Sequence, residues 1–192
     1  MRPRLFTREV LPFYAAILGL VAATLLADGL LHWLEADWVG RYVGIPGVLL
    51  ILGSFGYSLR KRKLISVGDP THLLRAHEAM AWAGCFLVLV HAGIHFNAIL
   101  GWLAVGAMMI NVASGLTGRH LLKRARRRLD EANATLRGRG LSEAEVADRL
   151  YWDSLTFDVV KQWRIVHFPI TLAFAVLALA HIAAILLLWG WK

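Results

Sequence analysis

Charge is what this 192-residue chain has least of: Asp, Glu, Lys and Arg make up 18% of it, where a soluble domain carries roughly a quarter. Hydrophobic residues make up 58%, and the mean hydropathy is +0.56. These proportions exclude a disordered chain, which needs low hydrophobicity and high net charge, and most soluble enzymes. Cysteine is nearly absent. Cys85 is the single one, which excludes a disulfide framework, a Cys-x-x-Cys-His haem attachment site and a cysteine-ligated iron–sulfur cluster. Gly-x-Gly-x-x-Gly after a strand pattern and a P-loop are both missing, so neither dinucleotide nor nucleotide phosphates have a recognisable cradle.

What is present is length in apolar runs. Five stand out, at about 10–32, 43–59, 76–95, 98–117 and 165–190, each near the 20 or so residues that cross about 30 Å of hydrocarbon. The chain is therefore expected to be an all-α integral membrane protein, with five transmembrane helices in a single membrane domain over 1–192. The first run follows Arg2, Arg4 and Arg8 as in a signal peptide, but extends past 20 residues without a small-residue cleavage site and reads as a retained span. The second is the weakest, short and carrying Gly44, Pro46, Gly47, Gly53 and Gly56. Only the turn Asn97 to Gly101 separates the third and fourth, so these form an antiparallel pair.

The charges that do occur are one-sided. A net charge of +8 and a pI near 10.3 would suit a nucleic-acid binder, but here they follow the positive-inside rule, and no nucleic-acid partner is expected. With the N-terminus cytoplasmic, all but Arg41 and Lys192 of the 21 Lys and Arg fall on the cytoplasmic side, while Glu35 and Asp37 occupy the first outer loop. Spans one, three and five then run outward in a cell membrane, taken as a bacterial inner membrane, with lipid as the main partner. Segment 118–163 is a cytoplasmic basic linker. Arg119 to Arg139 reads as a basic helix continuing from span four and ending near Gly138 and Gly140, and Ser142-Glu143-Ala144-Glu145 as a capping box opening a short helix. Its 46 residues are too few for a flavin or nicotinamide domain.

Histidine carries the chemistry. Of eight, His77 and His91 lie fourteen residues apart in span three, and His167 and His181 fourteen apart in span five. Fourteen residues at about 100° each fall about 40° short of four turns, so each pair shares one helix face about 21 Å apart. Spans three and five run the same way, which sets His77 level with His167 and His91 level with His181. Two imidazoles facing across a bundle core supply the axial positions of a six-coordinate haem b. Two levels imply two stacked, non-covalent b haems. One intramembrane histidine alone would read as a helix–helix hydrogen-bonding residue, but ionisable groups in hydrocarbon are costly and demand a role, and two equal pairs are hard to obtain as packing residues.

The paired histidines with this span order resemble the ferric-reductase-like transmembrane core shared by NADPH oxidases and ferric reductases. Their spacing is similar to that of the dihaem cytochrome b of quinol-oxidising complexes, over about residues 72–185. The likeness is to the haem core alone, without the attached flavin and NADPH domain. It implies bis-histidine haems at His77/His167 and His91/His181.

Neighbours on these faces have two readings each. Gly84, seven residues from both His77 and His91, makes room for a macrocycle or serves helix packing. Phe174, seven from both His167 and His181, is an aromatic bridge between haem levels or a core phenylalanine. Arg75 and Arg164 flank the inner ligands and either pair with haem propionates or snorkel to the interface. His95 shares the ligand face but would lie about 6 Å beyond the level of His181, which favours His91 and leaves His95 at the outer rim. His120 reads as interfacial, His32 and His72 sit at span ends, and Asp28 and Glu78 are either interfacial carboxylates or parts of a proton or quinone pocket.

The expected function is a dihaem cytochrome b acting as the membrane electron-transfer subunit of an oxidoreductase. It would pass electrons between a peripheral or soluble cytoplasmic partner carrying flavin or iron–sulfur centres and either quinone or an outer-side acceptor. No residue is assigned to catalysis. The alternatives are a stand-alone metalloreductase or quinone reductase, which needs no partner, and a transporter using histidine for metal or protons, which would be colourless. The basic segment 119–139 suits docking of an acidic partner or contact with anionic lipid.

Overall fold

The computed structural model describes residues 11–93, 98–117 and 123–189, without the side chains of 123–125, 156, 159, 160, 163, 164 and 189. Among these residues all regular structure is helical: α1 Leu11–Trp33, α2 Asp37–Ser54, α3 Gly56–Lys61, α4 Pro70–Gly93, α5 Ile99–Thr117, α6 Lys123–Gly138, α7 Glu143–Arg149 and α8 Tyr151–Ala184, which runs on into a π-helical turn Ile185–Trp189.

Five stretches are long and apolar enough to cross a bilayer: Leu11–Trp33, Asp37–Lys61, Pro70–Gly93, Ile99–Thr117 and Ile165–Leu188. Large apolar side chains along them face outward, Leu26 with 75% and Leu187 with 82% of its surface exposed. Each would gain about 1.5–3 kcal/mol on leaving water, and in a multi-pass membrane protein lipid receives them.

The second span is longer than its sequence suggested. Instead of 43–59 it occupies Asp37–Lys61, because α2 already starts at Asp37 and α3 carries on to Lys61; Pro46 sits inside α2 without ending it. The fifth span, Ile165–Leu188, starts where the sequence placed it, while the helix that carries it already starts at Tyr151. No Gly or Pro interrupts 151–164, so nothing stops the helix from running through the polar segment into the span. Its one proline, Pro169, also lies inside the helix. The basic helix ends at Gly138, and Gly140, at φ 77°, makes the left-handed turn before the capping box. There the Ser142 N–H donates to Glu145 Oε2 at 2.9 Å and Glu145 N–H to Ser142 Oγ at 3.4 Å. Arg128 and Arg127 are exposed. Residues 1–10, with Arg2, Arg4 and Arg8, and 118–122, with Arg119 and His120, lie outside the described residues, as do 94–97 at the start of the expected turn.

The chain packs as two compact units, Leu18–Val105 and Met1–Ile17 with Gly106–Lys192. The first is organised by α2 against α4. Gly40, Gly44, Gly47 and Ser54 are the buried residues of α2, at spacings of four, three and seven that keep one face. A Cβ on Gly84 of α4 would stand 2.7 Å from Ile51 Cγ1 and 2.8 Å from the Gly47 carbonyl oxygen, and a Cβ on Gly47 3.0 Å from Val88 Cγ2. The helices meet through missing side chains. Asp69 caps α4, its Oδ1 accepting the N–H of Thr71 at 2.6 Å and of His72 at 3.2 Å. Pro70 follows at the first helical position, where its missing donor costs nothing. In the second unit Met108, Leu116, Val146, Leu150 and Phe174 are buried, and Arg137 joins α6 to α7 through Glu143 Oε1 at 2.9 Å.

Candidate functional site

The two histidines of α4 both turn toward α2. His77 Nδ1 lies 2.9 Å from the carbonyl oxygen of Ser54, and His91 Nδ1 lies 3.2 Å from the carbonyl oxygen of Gly40. The acceptors are fourteen residues apart on α2, as the histidines are on α4, so one antiparallel crossing repeats the same bond at two depths. A carbonyl oxygen can only accept, so each Nδ1 carries a hydrogen, and in the neutral ring the lone pair is then on Nε2. That is the tautomer an iron or other metal takes from imidazole, held by the kind of outer bond that metal-binding histidines make.

The positions are enforced sterically as well. A Cβ on Gly44 would meet the His91 ring at 2.7 Å from Cγ and 2.9 Å from Cδ2, so the ring occupies space that only glycine leaves. Below His77, the Tyr57 ring lies 5.8 Å away at 35°, and Lys61 Nζ stands 6.0 Å above the Tyr57 ring.

In the second unit, the ring of His167 on α8 is met from α5. Its Nδ1 lies 3.2 Å from Ser114 Oγ, and Ser114 is 2% exposed. A hydroxyl both donates and accepts, so this partner permits either tautomer, unlike the carbonyls facing His77 and His91. His181 is half-buried on the same helix.

For His77 and His91 the chemistry fits a haem iron, since each ring presents Nδ1–H to a carbonyl, the outer bond that metal-binding histidines make. Among the described residues no group of three His, Cys, Asp or Glu is close enough to hold a bare metal ion.

The flanking residues divide differently from expectation. Gly84 shares the histidine face, but its open side is filled by Ile51 and the Gly47 carbonyl, so the room it leaves belongs to the helix crossing and not to a macrocycle. Phe174 is 8% exposed within its own unit's core. Arg75 is exposed. The side chain of Arg164 and all of His95 lie outside the described residues. His32 stays in an exposed contact with Asp37 at 3.7 Å. Asp28 reaches from α1 onto Gly93 at the end of α4, where a Cβ would run into its Oδ2. Its Oδ1 is buried with no hydrogen-bond partner among the described residues.

Sequence reading missed Gly40, Gly44, Ser54 and Ser114. The signal for Gly40 and Gly44 was present: glycines four apart on an apolar helix mark close helix contact, but Gly40 fell outside the expected span and Gly44 counts against a crossing when it is weighed alone. Ser54 contributes only its carbonyl, which no sequence pattern marks. Ser114 carries no signal of its own, since a serine in an apolar run gains meaning only from what it touches.

No family model matches the chain, and neither the curated proteins nor the solved structures contain a similar one.

Proposed function

We propose that the chain is a dihaem cytochrome b, the membrane electron-transfer subunit of an oxidoreductase, with His77, His91, His167 and His181 as axial ligands of two b haems. The pairing His77/His167 and His91/His181 follows from the equal spacing and the span order. One observation carries the reading: the Nδ1 atoms of His77 and His91 both face acceptor-only carbonyls of α2, the outer bond that metal-binding histidines make, at two points fourteen residues apart on one helix. When bound, the haems supply one-electron chemistry at two depths. The chain's own groups hold His77 and His91 by their Nδ1 atoms and His167 through Ser114, and the apolar helices exclude water.

The charge distribution supports a cytoplasmic N-terminus, so His77 and His167 lie toward the cytoplasm and His91 and His181 toward the outside. The electron donor is then a cytoplasmic flavin or iron–sulfur partner, and the acceptor quinone or an outer-side species.

The test is the visible spectrum of the full chain purified from membranes, with pyridine-haemochrome stoichiometry. Two haems per chain and sharp reduced α-bands of b type are expected. His77→Ala, His91→Ala, His167→Ala and His181→Ala should each leave about one haem. A colourless protein, or four variants that all keep both haems, would overturn the reading.

A further inference from the structure

The proline in α8 stands two residues after a ligand candidate, and the polar groups around it are not explained by helix packing. Pro169 has no N–H and crowds the preceding turn, which weakens the ladder at the point that aims His167. Asn111 of α5 lies across this turn. With its amide oriented to satisfy its neighbours, Asn111 Nδ2 donates to the His167 carbonyl at 3.1 Å and to Thr171 Oγ1 at 3.1 Å, and its Oδ1 accepts the Thr171 N–H at 3.2 Å. Thr171 Oγ1 in turn donates to the His167 carbonyl at 2.7 Å. The side chain therefore spans the carbonyl of residue 167 and the N–H of residue 171, the two groups that close the turn containing Pro169. Three residues further along α5, on the same face, Ser114 holds the His167 ring at Nδ1.

We propose that Asn111 and Ser114 form a two-point clamp on His167, Asn111 fixing its backbone across the proline turn and Ser114 fixing its ring, so that both are positioning residues for this haem ligand. This rests on the cytochrome reading above. An asparagine within an apolar span is costly unless its amide is satisfied, and here all its bonds go to the turn that carries one histidine. Pro169 gives the Ile165 carbonyl no N–H to accept, and Asn111 and Ser114 hold the backbone and ring of His167 within that stretch of helix. The carbonyl partners of His77 and His91 belong to a helix backbone and cannot be exchanged by mutation. The clamp is built from side chains, so it is the part of the ligand environment that substitution can tune.

The experiment uses the full chain with its haems and reads the low-spin ferric g-values, which follow imidazole orientation, together with the two midpoint potentials. Asn111→Ala and Ser114→Ala are each expected to keep the haem that does not depend on His167 with unchanged g-values and potential, and to shift both quantities for the haem that does. A merely structural asparagine or serine would not shift the g-values and potential of one haem while leaving the other unchanged. If one single variant fails to accumulate, the other carries the test. Unshifted g-values and potentials in a two-haem protein would overturn the clamp and leave the cytochrome reading standing. A wild-type protein without haem would overturn both.

Discussion

Gly44→Ala is the smallest change that tests how α2 holds a ligand. The added Cβ would stand 2.7 Å from His91 Cγ and 3.0 Å from Nδ1, whereas carbon atoms in contact need about 3.5 Å or more. The ring must therefore withdraw from α2 by about 0.8 Å. Its bond to the Gly40 carbonyl already measures 3.2 Å, and the same withdrawal stretches it to about 4 Å, beyond hydrogen-bonding range. Overpacking costs about 1–3 kcal/mol, and leaving a buried Nδ1–H without its acceptor costs about 1–3 kcal/mol more. Loss of an outer bond of this kind weakens metal binding about 10–100-fold. The variant should keep the haem bound at the His77 level and lose, or hold weakly, the one at the His91 level, so that pyridine-haemochrome titration falls from two haems toward one. Gly29→Ala is the control, because a Cβ there meets nothing within 4 Å, and it should retain both. If Gly44→Ala binds two haems with unchanged potentials, α2 does not position His91 and the argument from the carbonyl bonds fails.

Three further outcomes follow from the same geometry. The N–H groups of Thr71 and His72 hold the exposed Asp69 carboxyl below its ordinary 3.8; a depressed carboxylate stabilises above its unfolded pKa and loses that contribution as pH falls through the folded one, so the amide shifts of Thr71 and His72 should titrate with a midpoint below 3.8, and a midpoint above it refutes the cap. Cys85, 5% exposed, should resist maleimide in micelles and react fully only after denaturation; rapid labelling of the folded protein would show that its helix face is open. Replacing the exposed Arg126, Arg127 and Arg128 by Ala should slow haem reduction by an acidic donor about tenfold at low ionic strength while leaving dithionite reduction unchanged, and equal rates with the donor would remove docking from this helix.

Much of the architecture is legible in the chain. Five apolar runs announce five membrane-length helices, because hydrocarbon demands about 20 apolar residues whatever the helix packs against. The capping box at Ser142 and the stop at Gly138 are equally local, since a cap is made within one turn. The start of the second span was not legible, since 37–42 carries Asp37 and Arg41 among its apolar residues. Residues 151–164 read as linker because charged and polar residues interrupt them, yet they form the first turns of the helix that carries the fifth span.

Sequence by itself determined the fourteen-residue repeat of His77 with His91 and of His167 with His181, because spacing and helical pitch are enough to place residues on one face. It could not say what each ring nitrogen meets. That was decided by the tertiary structure, which brings the carbonyls of Gly40 and Ser54 to α4 and Ser114 and Asn111 to α8. A main-chain carbonyl has no letter in the sequence, and a serine or asparagine is a partner only once another helix lies beside it. The partner of a histidine ring is a neighbour distant in the chain, 51 residues away for His91 and Gly40 and 53 for His167 and Ser114, and only packing makes such neighbours.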